Sequence, residues 1–331
     1  MKRYFVWAIL VLFTGGLLLT GCGGQQATPQ TETEWPQGPV ELVVPWAAGG
    51  GSDRMARMIN DIIQKNNLMT EPMMILNKPG GEGQIGEAYL LNKPGDPHAF
   101  CTVASGQISI PLSGQGDIKV TQFTPVAQVA ADVELLVVRN DSPYETMADL
   151  VAAAQAAEMP LKSGGTATAS EDHICNALLC RAAGIELNYI PFSGGGEVMT
   201  NLLGGHIDVA WANPSECMSQ LEGGLARALA VSTTERLELK PDLPTFQELG
   251  YDFTFYQLRG IVGSPDMPAQ AVQGMIEVLR QVVETEQWQK DYIEANMLVP
   301  IFLAGDDFTA AVIQQEQEFA EALAMMGLYK E

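Results

Sequence analysis

The sequence predicts an α/β protein of two lobes that face each other across a cleft. Short apolar runs alternate along the chain with segments of helical spacing, which is typical of strands followed by helices. Several of these runs end in loops of small residues, notably at 49–51, 163–170 and 193–196. A late apolar stretch, 253–262, is suited to carry the chain back to the first lobe, which makes two connections between the lobes.

The first lobe opens with a strand, a glycine loop and a helix. An apolar run ends at Pro45, three glycines follow at 49–51, and apolar residues then recur at helical spacing from Met55 onward. Ser52 and Asp53 are favoured types for the helix start. Without Cβ atoms the loop can bring its N–H groups close to a ligand at the positive end of the helix dipole. This pattern predicts an anion site, and a plain strand-to-helix turn is the alternative.

Two further loops are expected at the same edge of the first lobe. A strand at 73–76 leads into 77–88, where three glycines fit the G-x-G-x-x-G spacing of dinucleotide-binding turns. No acidic residue ends a second strand about 20 residues on, so a glycine-rich turn with Gln84 facing the cleft is the preferred interpretation. A third strand, 100–104, ends at Ser105, where open α/β sheets bind ligands.

The second lobe repeats this arrangement. The loop at 163–170 offers N–H and hydroxyl groups without bulk, and the loop at 193–196 does the same around Gly194. His173 follows the first of these loops within a helical pattern; a ligand contact and a packing or capping role are both open. Asn213 follows a short alternating strand and is expected at the same cleft.

Composition limits the class of protein. The chain has 331 residues, 47% of them hydrophobic and 18% charged, which is long enough for two domains of about 150 residues each. Its formal net charge is −22. Nucleic acid is excluded as a partner, because binding phosphates requires basic surface.

The first 22 residues are typical of a lipoprotein signal peptide. Lys2 and Arg3 precede an apolar run at 4–19, and residues 19–22 read Leu-Thr-Gly-Cys. Cys22 is therefore predicted to take a lipid and become the first mature residue, with an uncleaved anchor helix as the alternative. Residues 23–37 are rich in Gly, Gln, Thr and Pro and are expected to form a flexible tether. The mature protein is expected outside the cytoplasm, anchored to the membrane of the bacterial cell envelope.

The remaining cysteines are expected to be buried, unpaired thiols. Cys175 and Cys180 lie five residues apart in one helical pattern, so their side chains do not face each other. The chain has three histidines and no Cys-x-x-Cys pair, so a zinc site is not expected, nor is any cofactor. The other two cysteines are Cys101 and Cys217.

Taken together, the motifs resemble one family. The order and spacing of these segments are similar to those of the substrate-binding receptors of tripartite tricarboxylate transporters. The segments that carry the resemblance are 43–57, 77–86, 164–173, 190–196, 203–208, 229–236 and 241–245.

The resemblance implies a two-domain periplasmic-binding-protein fold of type II, a "Venus flytrap" that closes on its ligand. Domain 1 is expected at 38–138 and 257–331, and domain 2 at 139–256, after the signal peptide at 1–22 and the tether at 23–37. The function implied is a monomeric solute-binding lipoprotein that captures a small carboxylate and delivers it to integral-membrane transporter subunits.

In this family the ligand carboxylate is held mainly by main-chain N–H groups and hydroxyls of two facing loops. The matching positions here are 47–50 and 166–169. This chain departs from the family pattern at 95–100 and at Thr168 and Ala169, which leaves the identity of the carboxylate open. The residues predicted to contact the ligand are Trp46, Ala47, Ala48, Gly49, Gly50, Ser52, Asp53, Gln84, Ser105, Gly165, Thr166, Ala167, Thr168, Ala169, His173, Gly194 and Asn213.

Two other classes of function compete with this prediction. A secreted α/β hydrolase-like enzyme acting on a small carboxylate ester or amide needs a nucleophile and a base. The sequence has no G-x-S-x-G motif, and its histidines are scattered over separate segments, so no enzyme is predicted. A tethered adhesive or structural lipoprotein has no need of glycine loops at strand ends in both lobes.

Overall fold

The structure is a computed structural model that describes residues 35–330. The predicted signal peptide, Cys22 and residues 23–34 of the predicted tether lie outside the described residues. Residues 35–37, also assigned to the tether, are packed against the first lobe: Trp35 Nε1 donates to the Pro97 carbonyl at 2.8 Å. The Trp35 ring also meets Phe100 edge-on at 5.9 Å, so the packed chain includes Trp35.

Strands and helices alternate along most of the chain, as the hydrophobic pattern predicts. The strands are β1 (Val40–Val44), β2 (Met73–Asn77), β3 (Ala99–Ala104), β4 (Thr124–Asp132), β5 (Leu135–Arg139), β6 (Leu161–Thr166), β7 (Leu187–Phe192), β8 (Val209–Ala212), β9 (Ala226–Val231), β10 (Gln257–Gly263) and β11 (Val299–Ala304). The helices are α1 (Gly51–Asn66), α2 (Gln84–Leu91), α3 (Gly106–Leu112), α4 (Met147–Ala156), α5 (Glu171–Ala183), α6 (Gly195–Leu203), α7 (Pro214–Glu222), α8 (Ala269–Val283) and α9 (Asp306–Met325).

The strands form two sheets of related topology. The first sheet has the order β11-β4-β10-β3-β1-β2 and the second has the order β7-β6-β8-β5-β9. In each sheet three neighbouring strands are parallel, and the next strand, β10 or β5, is antiparallel to its neighbours on both sides. Each antiparallel strand enters directly after the chain has crossed from the other sheet. We call the two halves the first and the second lobe.

The first crossover lies a few residues before the predicted domain boundary. Strand β5 pairs with β8 and β9, so it belongs to the second lobe, although residues 135–138 were expected in the first domain. The chain therefore leaves the first lobe at Val133 and Glu134. An apolar strand can pair in either sheet, and the hydrophobic pattern alone does not decide which.

The core is continuous between the lobes. Val43 of β1 and Trp211 of β8 belong to one cluster of buried side chains, which also contains Phe319 and Leu323 of α9. Phe319 stacks on Phe255 with ring centroids 5.8 Å apart. Helix α9 therefore stabilises both lobes at once. Among the described residues, no helix combines the length and the apolar character that a membrane span requires.

Ser232 joins the two crossovers. The side chain is fully buried, and its Oγ accepts a hydrogen bond from the Glu134 N–H at 3.0 Å and donates to the Phe255 carbonyl at 2.7 Å. Its own N–H donates to the Glu134 carbonyl at 3.0 Å, and its carbonyl accepts from the Phe255 N–H at 2.8 Å. The outgoing and the returning chain are thus held side by side.

We expect Ser232→Ala to lower the free energy of unfolding by about 2–4 kcal/mol, because a buried N–H and a buried carbonyl both lose their partner. Urea unfolding followed by circular dichroism measures the change. Ser219→Ala, an exposed hydroxyl on α7, is the matched control and should change the free energy by less than about 0.5 kcal/mol. Equal stability of the two variants would show that the Ser232 hydroxyl does not hold the crossovers.

Candidate functional site

A cavity of about 400 Å³ lies between the lobes, at the carboxyl ends of the parallel strands. Its walls come from the loops that follow β1, β2, β3, β6, β7 and β8, together with β10 and the first crossover. This is the edge at which open α/β sheets place their ligands. The predicted site residues that line it are Trp46, Ala47, Gly50, Ser52, Thr166, Ala167, Thr168 and Asn213.

The amino end of α1 opens on the cavity without a side-chain cap. Gly50 occupies the cap position with φ −72° and ψ 173°, and Gly51 and Ser52 follow in the first turn and line the cavity. Within residues 35–330 no acceptor takes the N–H groups of Gly51 and Ser52. Two backbone donors at the positive end of a 16-residue helix therefore face the cavity.

Asp53 and Gly49 shape this loop from within. The Asp53 carboxylate accepts from the Gly49 N–H and Arg57 Nε, both at 2.8 Å, and from Arg57 Nη2 and Asn77 Nδ2 at 2.9 Å. The Arg57 guanidinium, with Gly49 and Asn77, lowers the pKa of Asp53 to about 2. Neither Asp53 nor Gly49 is among the residues that line the cavity. Gly49 has φ +86°, which favours glycine, whereas the backbone of Gly50 suits any residue.

Arg259 brings a positive charge to the same wall. It lies in β10, is largely buried, and its Nη2 donates to Asp132 Oδ2 at 2.8 Å and to Gln257 Oε1 at 3.0 Å. A Cβ built on Gly51 would lie only 2.9 Å from Nη2. Gly51 is therefore required for space, because the guanidinium packs directly against the start of α1.

The second-lobe loop uses most of its N–H groups internally. The Thr166 N–H donates to Asp172 Oδ2 at 2.6 Å, the Ala167 N–H to the Phe192 carbonyl at 3.0 Å, and the Ala169 N–H to His173 Nδ1 at 3.3 Å. These three groups were expected to face a ligand carboxylate, and they already have acceptors. Ser170 also caps α5, because its Oγ accepts from the His173 N–H at 3.3 Å.

The second-lobe side of the cavity is acidic. Glu134, Glu171, Asp172 and Glu216 all line it. Burial raises the pKa of Glu134 well above its usual range, with Asp172 and Glu216 adding to the effect. Burial likewise raises the pKa of Asp172 to about 8 and raises that of Glu216.

Several other predicted site residues support the walls and do not line the cavity. Gln84 Oε1 accepts from the N–H groups of Asp117 and Ile118 at 3.1 and 3.0 Å and so fixes that loop. Ser105 is buried; its Oγ donates to Gln315 Oε1 and accepts from the Leu258 N–H, both at 2.8 Å.

His173 is held by neighbouring groups of its own lobe. The ring stacks on Tyr189 with centroids 4.0 Å apart, and Nδ1 accepts a hydrogen bond from the loop. Burial lowers the pKa of His173, which favours the neutral ring. The packing role is therefore the one that the structure shows. The remaining predicted residues outside the lining are Ala48, Gly165, Ala169 and Gly194.

The charged residues of the cavity were missed at the sequence level. Arg259 lies in the otherwise apolar stretch 257–263, and Glu134 lies between two apolar strands. A single charge inside a buried strand pattern is the signal that would have indicated both. Among the described residues, no group of three or more His, Cys, Asp or Glu side chains is arranged to hold a metal ion.

Comparison with known proteins identifies the family. Residues 55–322 match the model of the tripartite tricarboxylate transporter family receptor. The chain belongs to this family. One relative, the UPF0065 protein in the TAR-I ttuE-ttuC' intergenic region of Agrobacterium vitis, is 28% identical over 260 residues, which cover 77% of this chain and 74% of the relative. The receptor is therefore a solute-binding protein of an extracytoplasmic family.

Solved structures agree with this assignment. The receptor superposes on a TctC solute-binding protein from Polaromonas with a TM-score of 0.76 and 25% identity, covering 88% of this chain and 99% of that one. An R. palustris protein with adipate gives a TM-score of 0.76 at 24% identity, covering 89% of this chain and 99% of the other. The type II two-lobed fold implied by the motifs is confirmed.

The buried acids make stability fall as pH rises. The folded receptor keeps a proton on Asp172 up to about pH 8, whereas the unfolded chain releases it near pH 4. Between about pH 4 and pH 8 the unfolded state therefore binds fewer protons than the folded state. Each such group lowers the free energy of unfolding by up to about 1.4 kcal/mol per pH unit. The range from pH 6.5 to 8 contains only the upper half of an ordinary histidine titration, whose midpoint lies near pH 6.5.

We expect the urea-unfolding free energy of the wild type to decrease between pH 6.5 and 8 and Asp172→Asn to flatten that decrease. Asp252→Asn, an exposed acid outside the cavity, is the control and should keep the wild-type slope. A wild-type stability that rises over this range would contradict the assignment of a proton to the cavity acids.

Proposed function

We propose that the receptor binds a small carboxylate with the carboxylate group at the amino end of α1, beside Arg259. The observation that carries this proposal is the pair of open N–H groups at Gly51 and Ser52, next to a buried guanidinium. Charge-assisted hydrogen bonds of this kind contribute about 1.5–3 kcal/mol each. The helix dipole adds to them, because negative charge is favoured at a helix start.

Three further facts support a small carboxylate. The volume of about 400 Å³ lies within the usual range of small-molecule pockets. A structural neighbour of the same family fold was solved with adipate, a linear dicarboxylate. The loop at 46–52 is also the part of the first lobe where the sequence motif indicates anion binding.

We propose binding without catalysis. Hydrolysis of an ester or amide needs a nucleophile within reach of a base. Ser52, Ser109, Ser170 and Ser193 line the cavity, and no histidine is among the lining residues of the described chain. The one nearby histidine, His173, has its Nδ1 engaged by the Ala169 N–H.

The family and the sequence of the first 22 residues support a proposal for the location. We propose that the receptor is a monomer held at the membrane by a lipid on Cys22 and that it passes its solute to integral-membrane transporter subunits. The Leu-Thr-Gly-Cys sequence after an apolar run supports the lipid anchor. Family membership supports the transporter partner.

The carboxylate site is tested with Gly50→Val. The φ of Gly50 suits valine, and the nearest atom to a built Cβ is the Ala47 carbonyl oxygen at 3.5 Å, so the variant should fold. Its methyl groups should block the approach to the α1 donors. Loss of one or two charge-assisted hydrogen bonds should weaken binding roughly 10- to 1,000-fold.

The probes are a panel of linear carboxylates, including adipate, and a panel of amino acids. Calorimetric titration measures how the substitution changes the affinity for the probe that binds the wild type most tightly. Gly38→Val is the matched control, since a Cβ there meets nothing within 4 Å and Gly38 does not line the cavity. Wild-type affinity in Gly50→Val would remove the start of α1 from the binding site.

The anchor is tested with Cys22→Ser. This variant should no longer take up radiolabelled palmitate and should leave the membrane fraction, because the lipid is attached through the cysteine sulfur. Cys180→Ser, within α5, should label and fractionate like the wild type. Equal labelling of Cys22→Ser and the wild type would refute lipidation at this residue.

A further inference from the structure

The cavity has two faces of unlike chemistry. On the first-lobe side it presents the open N–H groups of Gly51 and Ser52 and the Arg259 guanidinium, and the exposed Glu82 side chain also lines this side. On the other side it presents the carboxyl groups of Glu134 and Glu216, with those of Glu171 and Asp172 close by. Negative charge is favoured at the first face, and positive charge is favoured at the second.

Glu134 is the most informative group on the acidic face. It lies on the first crossover, its side chain is fully buried, and it lines the cavity. Its Oε1 accepts a hydrogen bond from Asn213 Nδ2 at 2.9 Å. Its Oε2 has no hydrogen-bond partner in the described part of the chain. Buried polar atoms without a partner are uncommon, because each costs free energy, and they point to a missing donor.

The neighbouring side chains do not supply that donor. The charged groups that raise the pKa of Glu134 lie in β4, α5 and α7 and are the acids Asp132, Glu171, Asp172 and Glu216. Asp172 Oδ2 is occupied by Thr166, and Glu171 Oε1 accepts from Gln257 Nε2 at 2.8 Å. The two described hydrogen bonds of the Arg259 side chain go to Asp132 and Gln257.

We propose that the solute is an amino-carboxylate, whose cationic nitrogen lies between Glu134 and Glu216 while its carboxylate lies at the start of α1. The placement of the carboxylate, the carboxylate half of the proposal, rests on the function proposed above. The placement of the cationic nitrogen, the cationic half, rests on the acidic face alone. An ammonium group brings three donors, so it satisfies Glu134 Oε2 and offsets the repulsion among the acids. A dicarboxylate would instead place its second charge against four acidic side chains.

A dicarboxylate is the alternative solute for the same cavity. A protonated Glu134 can donate a hydrogen bond to a second ligand carboxylate, because a buried carboxylic acid is both donor and acceptor. Glu134→Gln separates the two cases. The amide removes the negative charge that holds a cation, but it keeps an N–H donor for a carboxylate.

The experiment is calorimetric titration of the full receptor with probes that differ only at the far end of the chain. At six carbons the set is 6-aminohexanoate, hexanoate and adipate, and the sets at four and five carbons are built in the same way. The α-amino acids of these lengths, L-2-aminobutyrate, L-norvaline and L-norleucine, and the diamine 1,5-diaminopentane complete the panel.

We expect an amino-carboxylate to bind at least about 10-fold tighter than the plain acid and the diacid of its length. Glu134→Gln should bind the amino-carboxylate at least about 10-fold more weakly than the wild type does, and it should bind the plain acid with unchanged affinity. Glu158→Gln, an exposed acid of the same lobe outside the cavity, should bind like the wild type. If thermal melting shows Glu134→Gln unfolded, Glu216→Gln takes its place with the same expectation.

The two proposals fail in different ways. A diacid that binds tightest and keeps its affinity in Glu134→Gln overturns the amino-carboxylate and leaves the carboxylate site standing. A diamine that binds as tightly as the amino-carboxylate overturns the carboxylate half and supports the cationic half. Absence of binding by every probe overturns both.

Discussion

The arrangement of the cavity depends on how the two crossovers are held together at Ser232. The buried hydroxyl, the backbone N–H and the carbonyl of Ser232 connect the outgoing chain at Glu134 with the returning chain at Phe255. Because Glu134 lies on this joint, its backbone is fixed by the same bonds that join the lobes, and Asn213 then orients the carboxyl group. Glu134 therefore belongs both to the cavity wall and to the connection between the lobes. Its position is tied to the relative orientation of the two sheets.

Charge is distributed unevenly across this site. The chain has a net charge of −22, and four carboxyl groups line one face of the cavity, whereas the other face has one guanidinium and the exposed carboxyl group of Glu82. Burial raises the pKa values of Glu134, Asp172 and Glu216, so the empty receptor loses stability as the pH rises above the ordinary carboxyl range. The stabilising devices are local: reciprocal caps at α4 and α7 use acids as structural acceptors, as in the bond from the Thr146 N–H to Asp149, and Asp172 accepts from Thr166. The start of α1 lacks such a cap, and this difference gives the cavity its polarity.

Much of the fold could be predicted from the sequence, because each strand, loop and helix unit leaves a local hydrophobic pattern. The loops after β1 and β6 were identified in this way, and both reach the cavity. Roles within the loops were less predictable. The Gly49 N–H was expected to bind a ligand, but it donates its hydrogen bond to the Asp53 carboxylate. Arg259 lies about 200 residues beyond the loop it touches, and such long-range packing leaves no local pattern. Strand β11 was missed although its residues are apolar, because Pro300 argues against a strand unless that strand lies at a sheet edge, as β11 does.

The position of β10 in the first sheet has a consequence for biogenesis. This strand lies between β3 and β4, yet it is made only after the whole second lobe has been synthesised. Until residue 263 has left the ribosome, the first sheet lacks its strand β10. The core shared by the lobes is also incomplete until Phe319 of α9 has been synthesised. The nascent chain therefore has no route to a complete first lobe while it is being made. For a protein of an extracytoplasmic family this order has a use, because late closure of the fold keeps the first lobe incomplete for most of synthesis.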